Sequence, residues 1–502
     1  MSYYLRSKRL DIATEDALVF VLNADTAVKY GLCAGDRVHM CWKDICVFGS
    51  IDVTGTYVGY DEIGLYEDIW LKYGIPSNDM VTIDIISKTH AVEAIKKKLL
   101  GGVLSFKEIN TIMHGIATRK LSTVEITYFA ASSFSPGFNE QEIYYLTKAM
   151  AENGEELDFR YLKKKIVDKH SIGGIPAKGV TPVLVPILAC FDLIVPNTSS
   201  RAITTPAGTS DILEVMMPVA LSKEQIVKTV EKTGACLAWG GGIDLAPADD
   251  VLINIERPLH IEAYDKFIVS IMAKKVATGI EYMLVDLPVG KGTKIEHPED
   301  VPIVAASFKK LGQLFDINVD IYERRPKGPD GYGVGPVLEC VDLMRVFEQH
   351  PQRPLNIENT ALDMAGRILE MTKTVPAGQG FNLAKEKLLN GEAKKKFWEI
   401  AFAQGATREM NSNDFILGDY KQTFRAVKSG TVKFISNKMV VLSARMLGAP
   451  FVKQAGIHFE NLVGDKVEEG QVLFTLYATS QKRINLAKRY LEQELASMVE
   501  IE

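Results

Sequence analysis

The chain reads as a multidomain α/β protein: a small N-terminal β-barrel, a helical domain, an α/β domain with a mixed central sheet, and a C-terminal α+β domain that is rich in strands. Three observations carry this reading. Short β-rich runs separated by Gly and Asp turns fill the first 86 residues. The apolar period then becomes helical, and from residue 160 strands alternate with helices, several strands ending in glycine turns. Period two returns near Tyr420. A chain of 502 residues is too long for one core, and the boundaries fall at 1–86, 87–158, 159–415 and 416–502.

In the first region, residues 17–22, 38–42, 46–51 and 81–85 read as strands, with His39 a structural residue in one of them. Cys41 and Cys46 flank Lys43-Asp44, a hairpin turn. With no CxxC pair and no His or further Cys beside them, zinc is not expected, and the six cysteines fit a reducing, cytoplasmic setting. In the second region Ser105 and Ser122, each three residues before a Glu, and Asn139 mark helix starts. His114, spaced with Ile109, Ile112 and Ile116, is expected to pack within the bundle.

In the third region residues 161–167 are expected to form a strand that delivers Lys169 and His170 to its end, and residues 193–195 another. Residues 235–239 run into the triplet Gly240-Gly241-Gly242, residues 283–287 into Gly290-Lys291-Gly292, and residues 331–335 form a further glycine turn. Glycine turns at strand ends place ligands along one edge of a sheet. None matches GxGxxG or the P-loop spacing, so dinucleotide and nucleoside-triphosphate readings are weak. In the fourth region residues 427–435 and 465–476 read as hairpins, and a helix closes the chain. Asn437-Lys438-Met439 resembles the lysine turn of biotinyl and lipoyl carriers but lacks its flanking partners, so a structural β-domain is the better reading.

The composition is ordinary for a globular protein, with 47% hydrophobic and 24% charged residues. A net charge of −5 argues against a nucleic-acid surface. No run of 18 apolar residues occurs and no apolar signal core follows Met1, so neither a membrane span nor secretion is expected.

The chemistry-bearing residues concentrate in two stretches. In Asp168-Lys169-His170-Ser171-Ile172-Gly173-Gly174, the two glycines permit a backbone path that lets amide N–H groups approach an anion. Residues 199–211 repeat the arrangement: a strand, a hydroxyl-rich turn, then Gly208-Thr209 opening a helix whose N-terminus favours negative charge. A lone glycine turn beside a lysine is usually only a turn. Two at matched positions point to one phosphate held from two sides.

With these residues in place, the chain resembles the thymidine phosphorylase family, in the longer branch that includes AMP phosphorylase. Residues 199–214 are close to the family signature, with Pro206 where short members carry Thr or Ala, and residues 168–174 match its Lys-His-Ser turn. The similarity runs over essentially the whole chain, including the N-terminal β-domain of the long branch. It implies reversible phosphorolysis of an N-glycosidic bond: phosphate attacks C1′ through an oxocarbenium-like transition state and the base departs.

By position, the resemblance implies that Lys169, Ser171, Thr181, Ser199 and Thr209 hold phosphate. Gly174, Ser200, Arg201, Ala202, Ile203, Thr204, Thr205 and Lys294 would contact the nucleotide, and Arg257, Ser270 and Lys274 would face the base. Ser270 and Lys274 are four apart on an expected helix, hence on one face. Glu262, where the branch has Asp, would be the proton donor. His170 would hydrogen-bond or protonate the leaving base. No metal or cofactor is expected, inorganic phosphate being a co-substrate. The partners implied are a nucleotide or nucleoside, phosphate, and a second copy in a homodimer or larger homo-oligomer, with residues 100–155 as the surface. A cleft between the helical and α/β domains would close on the substrate.

One loop departs from the family pattern. Ile175-Pro176-Ala177-Lys178-Gly179-Val180-Thr181 stands where the long branch runs Pro-Gly, an acidic or amide residue, a basic residue and two hydroxyl residues. Ala177 replaces the usual Gly, Lys178 restores the charge one position early, and Thr181 survives. The leading expectation is cleavage of a nucleoside 5′-monophosphate such as AMP to free base and ribose 1,5-bisphosphate. Beside it stand a thymidine or other pyrimidine nucleoside phosphorylase, and a catalytically impaired nucleotide-binding homologue prompted by the altered loop.

Overall fold

The structure is a computed structural model that describes residues 3–13, 18–85, 90–202, 205–256 and 264–502. It is multidomain and α/β, and it divides into two compact units, Met1–Asn153 with Pro247–Ala263 and Gly154–Ala246 with Tyr264–Glu502.

The first unit opens with a closed barrel of β1 (Tyr3–Arg9), β2 (Val19–Asn23), β3 (Arg37–Trp42), β4 (Ile45–Thr54), β5 (Glu62–Leu65) and β6 (Met80–Ile85), in the order β1-β5-β2-β4-β3-β6. Alternating residues point inward, and Leu5, Phe20, Leu22, Val38, Met40, Ile51, Ile63 and Ile83 fill the interior. The β3–β4 register sets Cys41 opposite Cys46, with Lys43 in a left-handed turn between them, and the two are joined in a disulfide. Strand period two also brings His39 to the same face: the ligand atoms of His39, Cys41 and Cys46 lie within 4.8 Å of one another. The sequence reading saw no histidine beside these cysteines because it counted neighbours along the chain rather than along the pleat. Thiol titration of unreduced, denatured protein is expected to find Cys33, Cys190, Cys236 and Cys340 only. Cys46→Ser should destabilise the barrel by about 2 kcal/mol through the lost cross-link. All cysteines titrating before reduction would contradict the pairing.

Helices His90–Leu99, Phe106–Ala117, Thr123–Ala131 and Glu140–Glu152 follow. The last three begin with complete capping boxes, Ser105 with Glu108, Ser122 with Glu125 and Asn139 with Glu142. The helix Pro247–Glu256 packs on the second and third of them. His114 is exposed and bonds Asn153 Oδ1 at 3.2 Å, so it lies outside the bundle core where the sequence placed it.

The second unit is built on β7 (Val167–Ser171), β8 (Val195–Ser199), β9 (Ala235–Trp239), β10 (Tyr282–Pro288) and β11 (Asn318–Arg324). β11-β10-β7 form one sheet and β8-β9 another, and a bridge from Ile166 to Ile194 joins the two into a row β11-β10-β7-β8-β9. Every described pairing in this row is parallel, where a mixed sheet was expected, because each strand is followed by a helix that returns the chain to the same end. β7 also begins later than expected. Arg160–Leu162 forms a short 3-10 turn closed by Lys163 in the left-handed region, so Lys169 and His170 lie within the strand rather than beyond it. The core joins the helix Val180–Ala189 to Leu213, Leu237, Phe347, Ile368, Phe397 and Trp398.

The C-terminal part carries β12 (Gly333–Val334), β13 (Tyr420–Arg425), β14 (Gly430–Ile435), β15 (Gly456–Phe459), β16 (Lys466–Val467), β17 (Val472–Ala478) and β18 (Val499–Ile501). They pair as β12-β15-β17-β13 and β16-β14-β18. Neither stretch expected to be a hairpin is one by itself; their strands pair with each other and with more distant partners. Asn437 opens the helix Asn437–Leu447, which rules out a lysine-presenting turn there.

Candidate active site

In a parallel sheet the carboxyl ends of all strands, and the bends that follow them, share one edge. β7 and β8 are neighbours, so the bend after Ser171 and the bend after Ser199 open side by side at that edge. Asp286 on β10 is registered opposite Ser171, and Trp239 on β9 opposite Ser199. The two stretches singled out in the sequence therefore meet in one place.

Beneath the first bend lies a buried ionic lattice. The Asp168 carboxylate pairs with Lys275, and its other oxygen accepts Asn197 Nδ2 at 2.7 Å and the Lys169 N–H at 2.8 Å. Lys169, 3% exposed, sets its Nζ 3.3 Å from Thr181 Oγ1 and 3.4 Å from Asp286. Arg324 bonds Asp286 at 2.8 Å and Asp330 at 2.7 Å. Burial alone would push the Asp286 carboxyl up, but Arg324 and Lys169 outweigh it and hold the group charged. Sequence reasoning missed Asp286, Arg324 and Asp330. The one signal was a charge inside the apolar run of β10, a position that burial tolerates only with a partner.

His170 is part-buried, and burial together with the ammonium groups of Lys275, Lys169, Lys274 and Lys178 pushes it well below its ordinary range. It is a neutral imidazole at physiological pH. Gly173 and Gly174 both adopt positive φ. A Cβ on Gly174 would sit 3.1 Å from Thr293 Cα and 3.2 Å from the Lys294 nitrogen, so this glycine lets the bends after β7 and β10 touch.

At the second bend Gly208 caps the short helix Thr209–Leu213 as expected, but the carboxylate of Asp211 turns back onto it. Asp211 Oδ2 accepts the Gly208 N–H at 2.9 Å and the Ala202 N–H at 2.7 Å, so these backbone donors are already satisfied from within the chain. Arg201 also serves the bend: it bonds Glu214 at 2.5 and 2.9 Å and lies over the Trp239 ring. Arg201, followed by Lys453, holds the Glu214 carboxyl down at about 2. Ser199 Oγ is 2.8 Å from Ser210 Oγ, Ser200 is exposed, and Thr205 and Thr209 are part-buried.

Ser270 and Lys274 share a face of the helix Tyr264–Ala277, with Lys274 close enough to depress His170. Lys294 Nζ lies over the Phe267 ring at 5.6 Å. The structure thus gathers Lys169, His170, Ser171, Gly174 and Thr181, with Lys274 and Lys294 around them, and sets Ser199 on the adjoining strand. Ile203, Thr204, Arg257 and Glu262 lie outside the described residues.

Family profiles match residues 92–154 (glycosyl transferase family, helical bundle domain), 163–306 (glycosyl transferase family, a/b domain) and 431–496 (pyrimidine nucleoside phosphorylase C-terminal domain). The chain is 37% identical over 500 residues to an AMP phosphorylase of Methanococcus maripaludis strain C5, covering 99% of this chain and 98% of that one. It is 38% identical over 496 residues to an AMP phosphorylase of Pyrococcus furiosus, covering 98% of each. Among solved structures, anthranilate phosphoribosyltransferase from Thermus thermophilus shares the fold with a TM-score of 0.52 at 17% identity, covering 62% of this chain and 99% of that one. By its near full-length likeness to those relatives, the chain belongs to the nucleoside-phosphorylase branch of the glycosyl transferase family that holds the AMP phosphorylases.

Proposed function

We propose that this protein is a pentosyltransferase catalysing the reversible phosphorolysis of a nucleoside 5′-monophosphate such as AMP. A phosphate oxygen forms the new bond to C1′ as the C1′–N bond breaks. The electron pair of that bond leaves with the base, which takes up a proton, and ribose 1,5-bisphosphate is the other product. The observation that carries this reading is the side-by-side placement of two glycine-containing bends on neighbouring parallel strands, one of them lined by the buried Lys169.

In this reading Lys169, Ser171 and Thr181 hold phosphate from the β7 side, and Ser199 and Thr209 from the β8 side. Gly174, Lys294, Ser200 and residues 201–205 contact the nucleotide, Arg201 chiefly by holding its bend in shape. Ser270, Lys274 and Arg257 face the base. A neutral His170 donates a hydrogen bond to the base rather than a full proton, which leaves protonation to Glu262. Leu100, Val103, Val124, Tyr128 and Phe134 are exposed on the helical bundle, which supports a homo-oligomer, and a nucleotide substrate favours a cytoplasmic setting.

The test is base release from AMP, CMP, UMP, thymidine and uridine with phosphate in parallel. A 5′-monophosphate is expected to be preferred by at least about a hundredfold in kcat/KM, the worth of the contacts to its 5′-phosphate. Equal or better turnover of thymidine would overturn the assignment.

A further inference from the structure

The segment that departs from the family pattern, Ile175 to Thr181, has a defined geometry of its own. Ala177 is buried with φ of 59°, a left-handed conformation that a residue with a Cβ rarely adopts. The next peptide is pinned: the Lys178 N–H donates to Glu339 Oε2 at 3.0 Å, and the other Glu339 oxygen accepts the Gly335 N–H at 3.2 Å. This turn and this clamp send the Lys178 side chain back to the end of β7, where its Nζ donates to Ser171 Oγ at 2.8 Å.

That contact decides what Ser171 has left to offer. A hydroxyl has one proton and two lone pairs. The Gly173 N–H donates to Ser171 Oγ at 3.3 Å and Lys178 donates at 2.8 Å, so both lone pairs are engaged. The remaining O–H is a donor, and it suits a group that only accepts, as a phosphate oxygen does. The Lys178 ammonium keeps two N–H donors of its own for the same oxygens. Lys169, Lys178 and Arg324 meet Asp286 and Asp330 in this lattice, while burial pushes the Glu339 carboxyl that clamps the Lys178 N–H up to about 8.

We propose that Lys178 is a phosphate-binding residue, a second ammonium beside Lys169 on the nucleophilic anion, acting through and alongside Ser171. The inference rests on the phosphorolysis reading for its substrate, and its readout is chosen to be independent of it. The groups facing Lys178 are Asp286 on β10, Lys169 and His170 on β7, Arg324 on β11, Asp330 in the loop beyond it and Glu339 on the helix Pro336–Phe347. Burial pushes Lys178 down, with Lys169 and Arg324 adding to the effect and Asp286 and Asp330 opposing it, to about 7. A bound dianion favours the charged form, so binding of an anion draws a proton to Lys178 and weakens as pH rises past that value.

Lys178→Gln is expected to raise KM for inorganic phosphate about 10- to 100-fold while KM for AMP changes less than about twofold, as befits one charge-assisted contact. Without nucleotide, inorganic phosphate should raise the melting temperature of the wild type and do so much less in Lys178→Gln. Sulfate, a dianion throughout the range, should lose affinity for the wild type from pH 6.5 to 8.5, and much less for Lys178→Arg, whose guanidinium stays charged. That last arm serves even if Lys178→Gln folds poorly. An unchanged phosphate KM and phosphate-induced stabilisation in a folded Lys178→Gln, or the same sulfate pH profile in Lys178→Arg, overturns the inference and leaves the phosphorolysis reading standing. A Lys178-dependent phosphate stabilisation in a protein that cleaves no nucleotide does the reverse.

Discussion

Replacing Lys169 by alanine is expected to lower kcat/KM for phosphorolysis by about a thousandfold, or about 4 kcal/mol of transition-state stabilisation. The side chain is 3% exposed, and its ammonium is fixed between Thr181 Oγ1 and Asp286 at the end of β7, preorganised for an anion at the sheet edge. Little of the loss should be loss of fold, because Asp286 keeps its bidentate tie to Arg324 when Lys169 is gone. Lys169→Arg is not expected to rescue, because a guanidinium is larger than the ammonium buried at this position and presents its donors in a fixed plane. Base release at saturating AMP over a range of phosphate concentrations, with melting temperature recorded alongside, is the measurement. A kcat/KM within tenfold of the wild type would place the phosphate elsewhere.

The largest effect on stability is expected at Asp168. Asp168 and Lys275 are both fully buried, and Asp168 also ties β7 to β8 through Asn197. Asp168→Ala leaves the Lys275 ammonium in the interior without a counter-charge, a loss of about 3–5 kcal/mol. It should appear as an earlier urea transition of the unit that contains the α/β sheet. Removing both charges, in Asp168→Ala with Lys275→Met, should recover part of that loss, because the second change takes away the uncompensated ion. If the double variant is no more stable than Asp168→Ala, the pair is not the source of the effect.

Much of the architecture was legible because it is written locally. Ser105, Ser122 and Asn139 announce their helices through contacts three residues away, and every one of those capping boxes forms. The barrel strands follow from alternation, Gly173-Gly174 mark a bend by positive φ that few other residues tolerate, and at Gly208 a Cβ would meet Ser200 O at 2.4 Å. What failed depended on register. Tyr161 and Leu162 look like strand residues, yet they belong to a turn ended by Lys163. The paired bonds that place β7 lie on β10, over a hundred residues away.

The same division runs through the site. Sequence alone determined which residues stand at the sheet edge: the Lys-His-Ser turn, the hydroxyl-rich second bend and the altered loop between Ile175 and Thr181. Only the tertiary structure decided how they are charged and occupied. Burial and four ammonium groups hold His170 neutral, Asp211 takes the backbone donors of the second bend, and Lys178 comes to rest on Ser171. The reason is physical: backbone preference is set by a residue and its immediate neighbours, whereas electrostatic state is set by whatever the fold brings within a few ångströms. Asp286, Arg324 and Asp330 act on Lys169 from two segments, β10 and β11 with the loop after it, more than a hundred residues further along the chain.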